Sequence, residues 1–96
     1  MIQSVDVGRE VVGFRQMTGL SSAQGVPMSG TAVMLQAVSA NVVIRLDGTD
    51  PSGATDGHIL ANGDSIKFTF PNNRSLDFIR VLEVSASAIV NVHAFK

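Results

Sequence analysis

The stretches NVVIRL at residues 41–46 and SIKFTF at residues 65–70 decide the fold. In both, a large apolar side chain occupies every second position, whereas a helix would need an apolar period of about 3.6 residues. A period of two places these side chains on one face of a pleated strand, and β-branched and aromatic residues suit a sheet. The sequence therefore predicts two half-buried strands, with these buried sets: Val42, Ile44 and Leu46; Ile66, Phe68 and Phe70.

Further strand and turn signals surround these stretches. Asn62-Gly63 tolerates positive φ and predicts a hairpin between its two flanking strands. Ser85 to Ser87 is short enough to predict a second hairpin. The remaining expectations are strands at 31–38, 57–61, 64–70, 76–84 and 88–95, less clear strands at 5–12 and 14–20, a turn at 71–74 and a loop at 21–30.

Short strands separated by frequent turns predict an all-β fold. We expect one domain over residues 1–96, an antiparallel β-sandwich, with a jelly roll as one arrangement of its strands. Residues 31–96 are expected to form the core. Residues 1–30 are expected to supply an N-terminal arm together with the first strands.

The composition bounds the function. Only 16% of the residues are charged while 45% are hydrophobic, which indicates that a partner or a second copy covers part of the surface. The seven Lys and Arg residues are scattered, so no basic stripe predicts nucleic-acid binding. No apolar run is long enough to span a bilayer. Since the chain has no cysteine, disulfides and thiolate sites are excluded.

Candidate chemistry is sparse. Asp47, Asp50, Asp56 and His58 share one loop and are oxygen and nitrogen donors of the kind that bind divalent cations, but the spacing is not that of a calcium loop. The alternative is that these aspartates cap turns. His93 is the second histidine, and no nucleophile motif accompanies either one. The sequence therefore predicts no catalytic residue, no metal site, no cofactor and no enzyme.

The last predicted strand is apolar on both faces. Val90, Val92 and Ala94 face one way, and Ile89, His93 and Phe95 face the other. The second set is either a buried face inside the domain or a contact between subunits, and the sequence does not distinguish the two. We therefore take Ile89, His93 and Phe95 as the candidate subunit interface.

One run of residues resembles a known family. NVVIRLDGTDPS at residues 41–52, followed by GHIL at 57–60 and Gly63-Asp64, is similar to a family of small β-rich virion structural proteins of tailed bacteriophages. Residues 78–81 and 88–92 resemble that family's last two strands. Within the run, Arg45 is expected on the solvent side, paired with a carboxylate. Members often carry Trp or Tyr near the Asp-Gly-Thr segment, and this chain has neither.

The resemblance implies assembly into a particle. We expect a capsid decoration or cement protein that stabilises the head shell by contacts with the major capsid protein or other virion proteins. It would be located in the virion after assembly in the host cytoplasm, as a homo-oligomer, with a trimer favoured by shell symmetry. The alternatives are a tail, collar or fibre-associated virion protein and, from another class, a host-surface carbohydrate-binding module.

Overall fold

The computed structural model describes residues 11–96, which form eight β-strands and no helix. The alternation of apolar side chains therefore predicts the right fold class. The strands are β1 (Val11–Met17), β2 (Gln24–Gly25), β3 (Ser29–Val38), β4 (Val42–Arg45), β5 (His58–Leu60), β6 (Ser65–Ser75), β7 (Arg80–Glu83) and β8 (Ile89–Phe95).

The strands form two four-stranded antiparallel sheets. Sheet A has the order β1-β8-β3-β6, and sheet B has the order β2-β7-β4-β5. Strands pair from the two ends of the chain inward: β1 with β8, β2 with β7, β3 with β6 and β4 with β5. This nested pairing is a long hairpin rolled into a sandwich, which is the jelly-roll arrangement.

The core lies between the sheets. On β3, Val33, Leu35 and Ala37 are fully buried, as the alternation predicts. On β8, Val90, Val92 and Ala94 are equally buried and lie beside them in register. Burying each of the Val and Leu side chains contributes roughly 1.5–3 kcal/mol, so these two strands carry much of the stability. Sheet B and the connections complete the cluster with Leu20, Val26, Val42, Ile44, Leu76, Ile79 and Val81.

Both predicted hairpins are wrong. The turn at Gly63 joins β5 of sheet B to β6 of sheet A, and residues 84–88 likewise join β7 to β8 across the sandwich. Gly63 and Ser87 do adopt positive φ, at 89° and 68°. The local signal therefore identifies the turns correctly, but a turn residue does not specify which strand its neighbour pairs with.

Two further expectations need correction. Residues 71–74 are not a turn between strands but part of β6, where the ladder with β3 shifts its register between Gly30 and Ala32. Residues 21–30 contain β2 and the start of β3, and Val26 is fully buried. Residues 11–30 therefore supply the first strands of the sandwich. The part of the predicted arm and first strand before residue 11 lies outside the described residues.

Gly57 allows β5 to lie against β4. Its φ is +153°, and a Cβ placed there would be 2.6 Å from the carbonyl oxygen of Ile44. Gly53, in the same connection, has nothing within 4 Å of such an atom. The two glycines therefore form a matched pair, one required by a close approach of two strands and the other not.

We expect Gly57→Ala to lower the free energy of unfolding by about 2–3 kcal/mol, through a strained backbone and a clash with β4. Gly53→Ala should change it by less than about 1 kcal/mol. Urea unfolding followed by circular dichroism measures both. Equal effects of the two substitutions would show that the β4–β5 contact does not depend on Gly57.

Candidate functional site

The connection between β4 and β5 is held by Arg45 at the end of β4. Its guanidinium donates from Nε to Oδ1 of Asp47 at 3.1 Å and from Nη1 to Oδ1 of Asp56 at 2.8 Å. The second oxygen of Asp56 accepts from the backbone N–H of Ser52 at 2.8 Å. The prediction that Arg45 pairs with a carboxylate is therefore confirmed, and a single cation joins both ends of the loop.

A second arginine fixes the same loop to sheet B. Arg80 on β7 donates from Nε to Oδ1 of Asp50 at 2.6 Å, and its Nη1 lies 3.3 Å from Oδ1 of Asp77. The backbone N–H of Gly48 also donates to the carbonyl oxygen of Phe78 at 3.1 Å. The loop is therefore attached to the sandwich at several points, although its surface is exposed.

These contacts show where the carboxylates of the loop are directed. Asp47 and Asp56 face Arg45, and Asp50 faces Arg80, so these carboxylates are directed at arginines. Within residues 11–96, no three His, Cys, Asp or Glu side chains gather as a metal site would require. Asp47 also accepts from the N–H of Thr49 at 3.2 Å, which is the turn-capping role. The loop is an ion-paired structural element.

The ion pairs lower the pKa values of both carboxyls. Hydrogen bonds from the Arg45 side chain hold the pKa of Asp47 below its ordinary value. Hydrogen bonds from the backbone and hydroxyl of Ser52, and then from Arg45, do the same for the pKa of Asp56. The contacts with Asp47 and Asp56 raise the pKa of Arg45. Both aspartates are therefore ionised at neutral pH and retain their contacts with Arg45.

An apolar groove lies beside this loop, where both sheets end. It has a volume of about 340 Å³, and its lining carries no Asp, Glu, Lys or Arg. The buried side chains of Ile44 and Leu60 line it from below, while Ile59 is 51% exposed. We call it the β5–β6 groove, and it is lined by Ile44, Leu46, His58, Ile59, Leu60, Ile66 and Phe68.

The groove corrects the predicted burial of two residues. Leu46 and Ile66 occupy the buried positions of the alternating pattern, but they are 39% and 36% exposed. The reason is their location: β6 is the last strand of sheet A, and Leu46 directly follows β4, whose neighbour β5 is the last strand of sheet B. Alternation identifies the face of a strand, but it does not show whether another strand covers that face.

A second apolar surface lies at the opposite edge of sheet A. Val11, Val12 and Phe14 on β1 are 53%, 50% and 52% exposed. We call these three residues the β1 patch. The Phe14 ring lies 4.8 Å from the ring of His93 on the neighbouring strand. Sequence reasoning missed this patch because the first thirty residues showed no clear periodicity.

The candidate interface on β8 is only partly exposed. Ile89, His93 and Phe95 do share the outer face of sheet A, but Phe95 is only 2% exposed. It packs with Ala32 and Met34 in a small cluster, and Nζ of Lys67 lies 5.1 Å from the centre of its ring. Phe95 is thus part of a second buried face, which was the alternative interpretation, while Ile89 and His93 are half-buried.

The two histidines do not meet. His58 lies on β5 in sheet B, beside the β5–β6 groove, while His93 lies on β8 in sheet A. The two imidazoles therefore belong to different surfaces of the sandwich, His58 beside the groove and His93 beside Phe14. The β5–β6 groove thus offers an apolar surface that is bordered by the ion-paired loop.

We expect the ion-paired loop to make stability fall in acid. Because folding lowers the pKa values of Asp47 and Asp56 from 3.8, their contribution is complete above that pH and is lost as the pH falls through the lower folded values. Thermal unfolding from neutral pH to about pH 2 should show a falling Tm. Asp56→Asn should reduce that fall, whereas Asp64→Asn, at an exposed aspartate outside the network, should not. An equal fall in both variants would contradict the prediction.

No protein-family model, curated protein or solved structure matches this chain. The part of the chain that the structure describes contains no helix able to cross a membrane. The β5–β6 groove, the β1 patch and the ion-paired loop are therefore the features from which a function is inferred.

Proposed function

We propose that this protein is a structural component of a bacteriophage particle, a decoration or cement protein that adds contact area to the head shell. The observation that carries the proposal is the β1 patch: three large apolar side chains, each about half exposed, on an edge strand. Exposed apolar clusters of this kind mark contact surfaces in soluble proteins. Phe14 is the central anchor, because aromatic residues contribute strongly to interfaces.

Three further features support assembly as the function. Charged residues make up only 16% of the chain, so little of its surface is specialised for solvent. The jelly roll occurs in viral capsid domains and also in lectins, and by itself it does not fix a function. The run at residues 41–52 is similar to phage virion proteins, and it coincides with β4 and the ion-paired loop.

The composition favours a protein partner over a sugar. Carbohydrate sites usually combine an aromatic platform with several hydrogen-bonding groups, and this chain has neither Trp nor Tyr. The lining of the β5–β6 groove is apolar apart from His58. The partner proposed for the β1 patch is therefore the major capsid protein or another shell protein.

We expect the protein to be detected by mass spectrometry in purified phage particles from the host that carries its gene. Heads that lack the protein should bind it when it is added back, and their Tm should rise, because a ligand that binds only the assembled state stabilises it. Phe14→Lys should weaken binding by at least about tenfold, as expected for an aromatic anchor.

Val84→Lys provides the control for this binding experiment. Val84 is 37% exposed and lies outside both apolar surfaces, so the variant should bind heads as the wild type does. Absence of the protein from particles, or equal binding by Phe14→Lys and the wild type, would defeat the proposal. Electron microscopy of labelled particles would distinguish a head location from a tail location.

A further inference from the structure

The β5–β6 groove lies on the side of the sandwich opposite to the β1 patch within sheet A. Strand β6 ends sheet A and strand β5 ends sheet B, and among the strands of residues 11–96 none pairs with their outer edges. An edge strand is a template for another strand, particularly where apolar side chains border it. Leu46, Ile59 and Ile66 provide this apolar border.

We propose that the β5–β6 groove is closed by a second copy of this chain, through antiparallel pairing of the two β6 strands about a two-fold axis. The pairing extends sheet A from four strands to eight and brings the two grooves together. This inference adds a partner to the proposed function, but it does not depend on that function.

The register of β6 supports self-pairing. A two-fold axis perpendicular to the sheet keeps each face of β6 on the same side, so inner residues meet inner residues. Phe68 and Ile66 are on the inner face, opposite Val33 and Leu35 of β3. With Phe68 on the axis, Ile66 of one copy faces Phe70 of the second, and the inner face of the pair is entirely apolar.

Charge is compatible with the same register. Lys67 is on the outer face, where its Nζ lies 5.1 Å from the Phe95 ring centre, and in this register it faces Thr69 of the second copy. An axis at Lys67 would instead oppose two lysines, which is unfavourable. Pro71 has no backbone N–H, so the pairing ends before it, and residues Ile66 to Phe70 form the contact.

The area that a stable contact needs indicates which strands must take part. A standard interface buries about 800 Å² on each partner, roughly one sixth of the chain's accessible surface of 5064 Å². Such an interface draws on about 20–30 residues of each partner, so β5 must take part as well as the five residues of β6. Ile59 on β5 is 51% exposed and is the largest free apolar contribution from sheet B at this side.

The pair differs from the trimer that shell symmetry favours. The trimer follows from the geometry of capsids and from no residue of this chain. The self-complementary edge of β6 gives an isologous contact, in which the same surface is used twice. That contact leaves the β1 patch of both copies available for the shell.

Sedimentation velocity over a range of protein concentrations tests the pair. The wild type should form dimers, and Ile59→Lys and Ile66→Lys should each weaken the dimer by at least about tenfold. Val12→Lys places the same charge on a residue of matching exposure, 50%, at the opposite edge and should leave the dimer unchanged. Circular dichroism would establish that each variant folds.

Disulfide trapping tests the register. Because the chain has no cysteine, the double variant Lys67→Cys/Thr69→Cys introduces the only thiols. Each Cys would face its counterpart in the second copy, so oxidation should give covalent dimers. Phe14→Cys/Gln16→Cys has the same spacing on edge strand β1 and should give none.

The outcomes separate this inference from the proposed function. A wild type that is monomeric at every concentration, or trimeric, overturns the pair, as does dissociation caused by Val12→Lys instead of Ile59→Lys. Trapping at positions 14 and 16 but not at 67 and 69 overturns it too. A dimer that is absent from phage particles would keep the pair and defeat the proposed function.

Discussion

The pairing of β3 with β8 is the interaction on which the rest of the structure depends. These two inner strands of sheet A align Ala32–Val38 with Ile89–Phe95, and their inward-facing side chains are all fully buried. The pairing joins segments more than fifty residues apart, so the intervening chain must cross to sheet B and come back to sheet A. Strands β4, β5 and β7 join β2 in sheet B, and β6 adds to the free side of β3. Because such contacts are non-local, the fold depends on closing a long loop before most of the burial is gained.

The sequence predicts the strands better than it predicts their partners. Val33, Leu35, Val90 and Val92 lie where the alternation places them, since the period of a strand is a local property. The hairpin at Asn62-Gly63 fails because sheet membership is set by the whole jelly roll, while the dipeptide reports only a tolerance for positive φ. Jelly-roll order could be named as one arrangement but could not be derived. No local sequence pattern indicates that strands from the two ends of the chain pair with each other.

The candidate surfaces were predictable to a smaller degree. The sequence predicts the cluster of acids from Asp47 to Asp56 and a carboxylate partner for Arg45. Asp47 is only two residues from Arg45, so that contact is local, whereas the contact with Asp56 also needs the pairing of β4 with β5. The sequence does not predict the groove. The alternating pattern predicts that Leu46 and Ile66 are buried. They are exposed because β5 and β6 lie at the ends of their sheets. For Phe95 the sequence does not predict the burial, because that burial depends on Ala32 and Met34 of a neighbouring strand.

The ion-paired loop stabilises the shape of the β5–β6 groove. Leu46 directly follows Arg45, and His58 lies two residues after Asp56, so the two ends of the loop are also two positions in the groove lining. Arg45 draws these ends together through Asp47 and Asp56. A rim held in this way loses little conformational freedom when another surface covers it, and ordering side chains and loops is among the main costs of association. This chain has few charged residues, and several of them form the ion pairs that fix the shape of the uncharged β5–β6 groove.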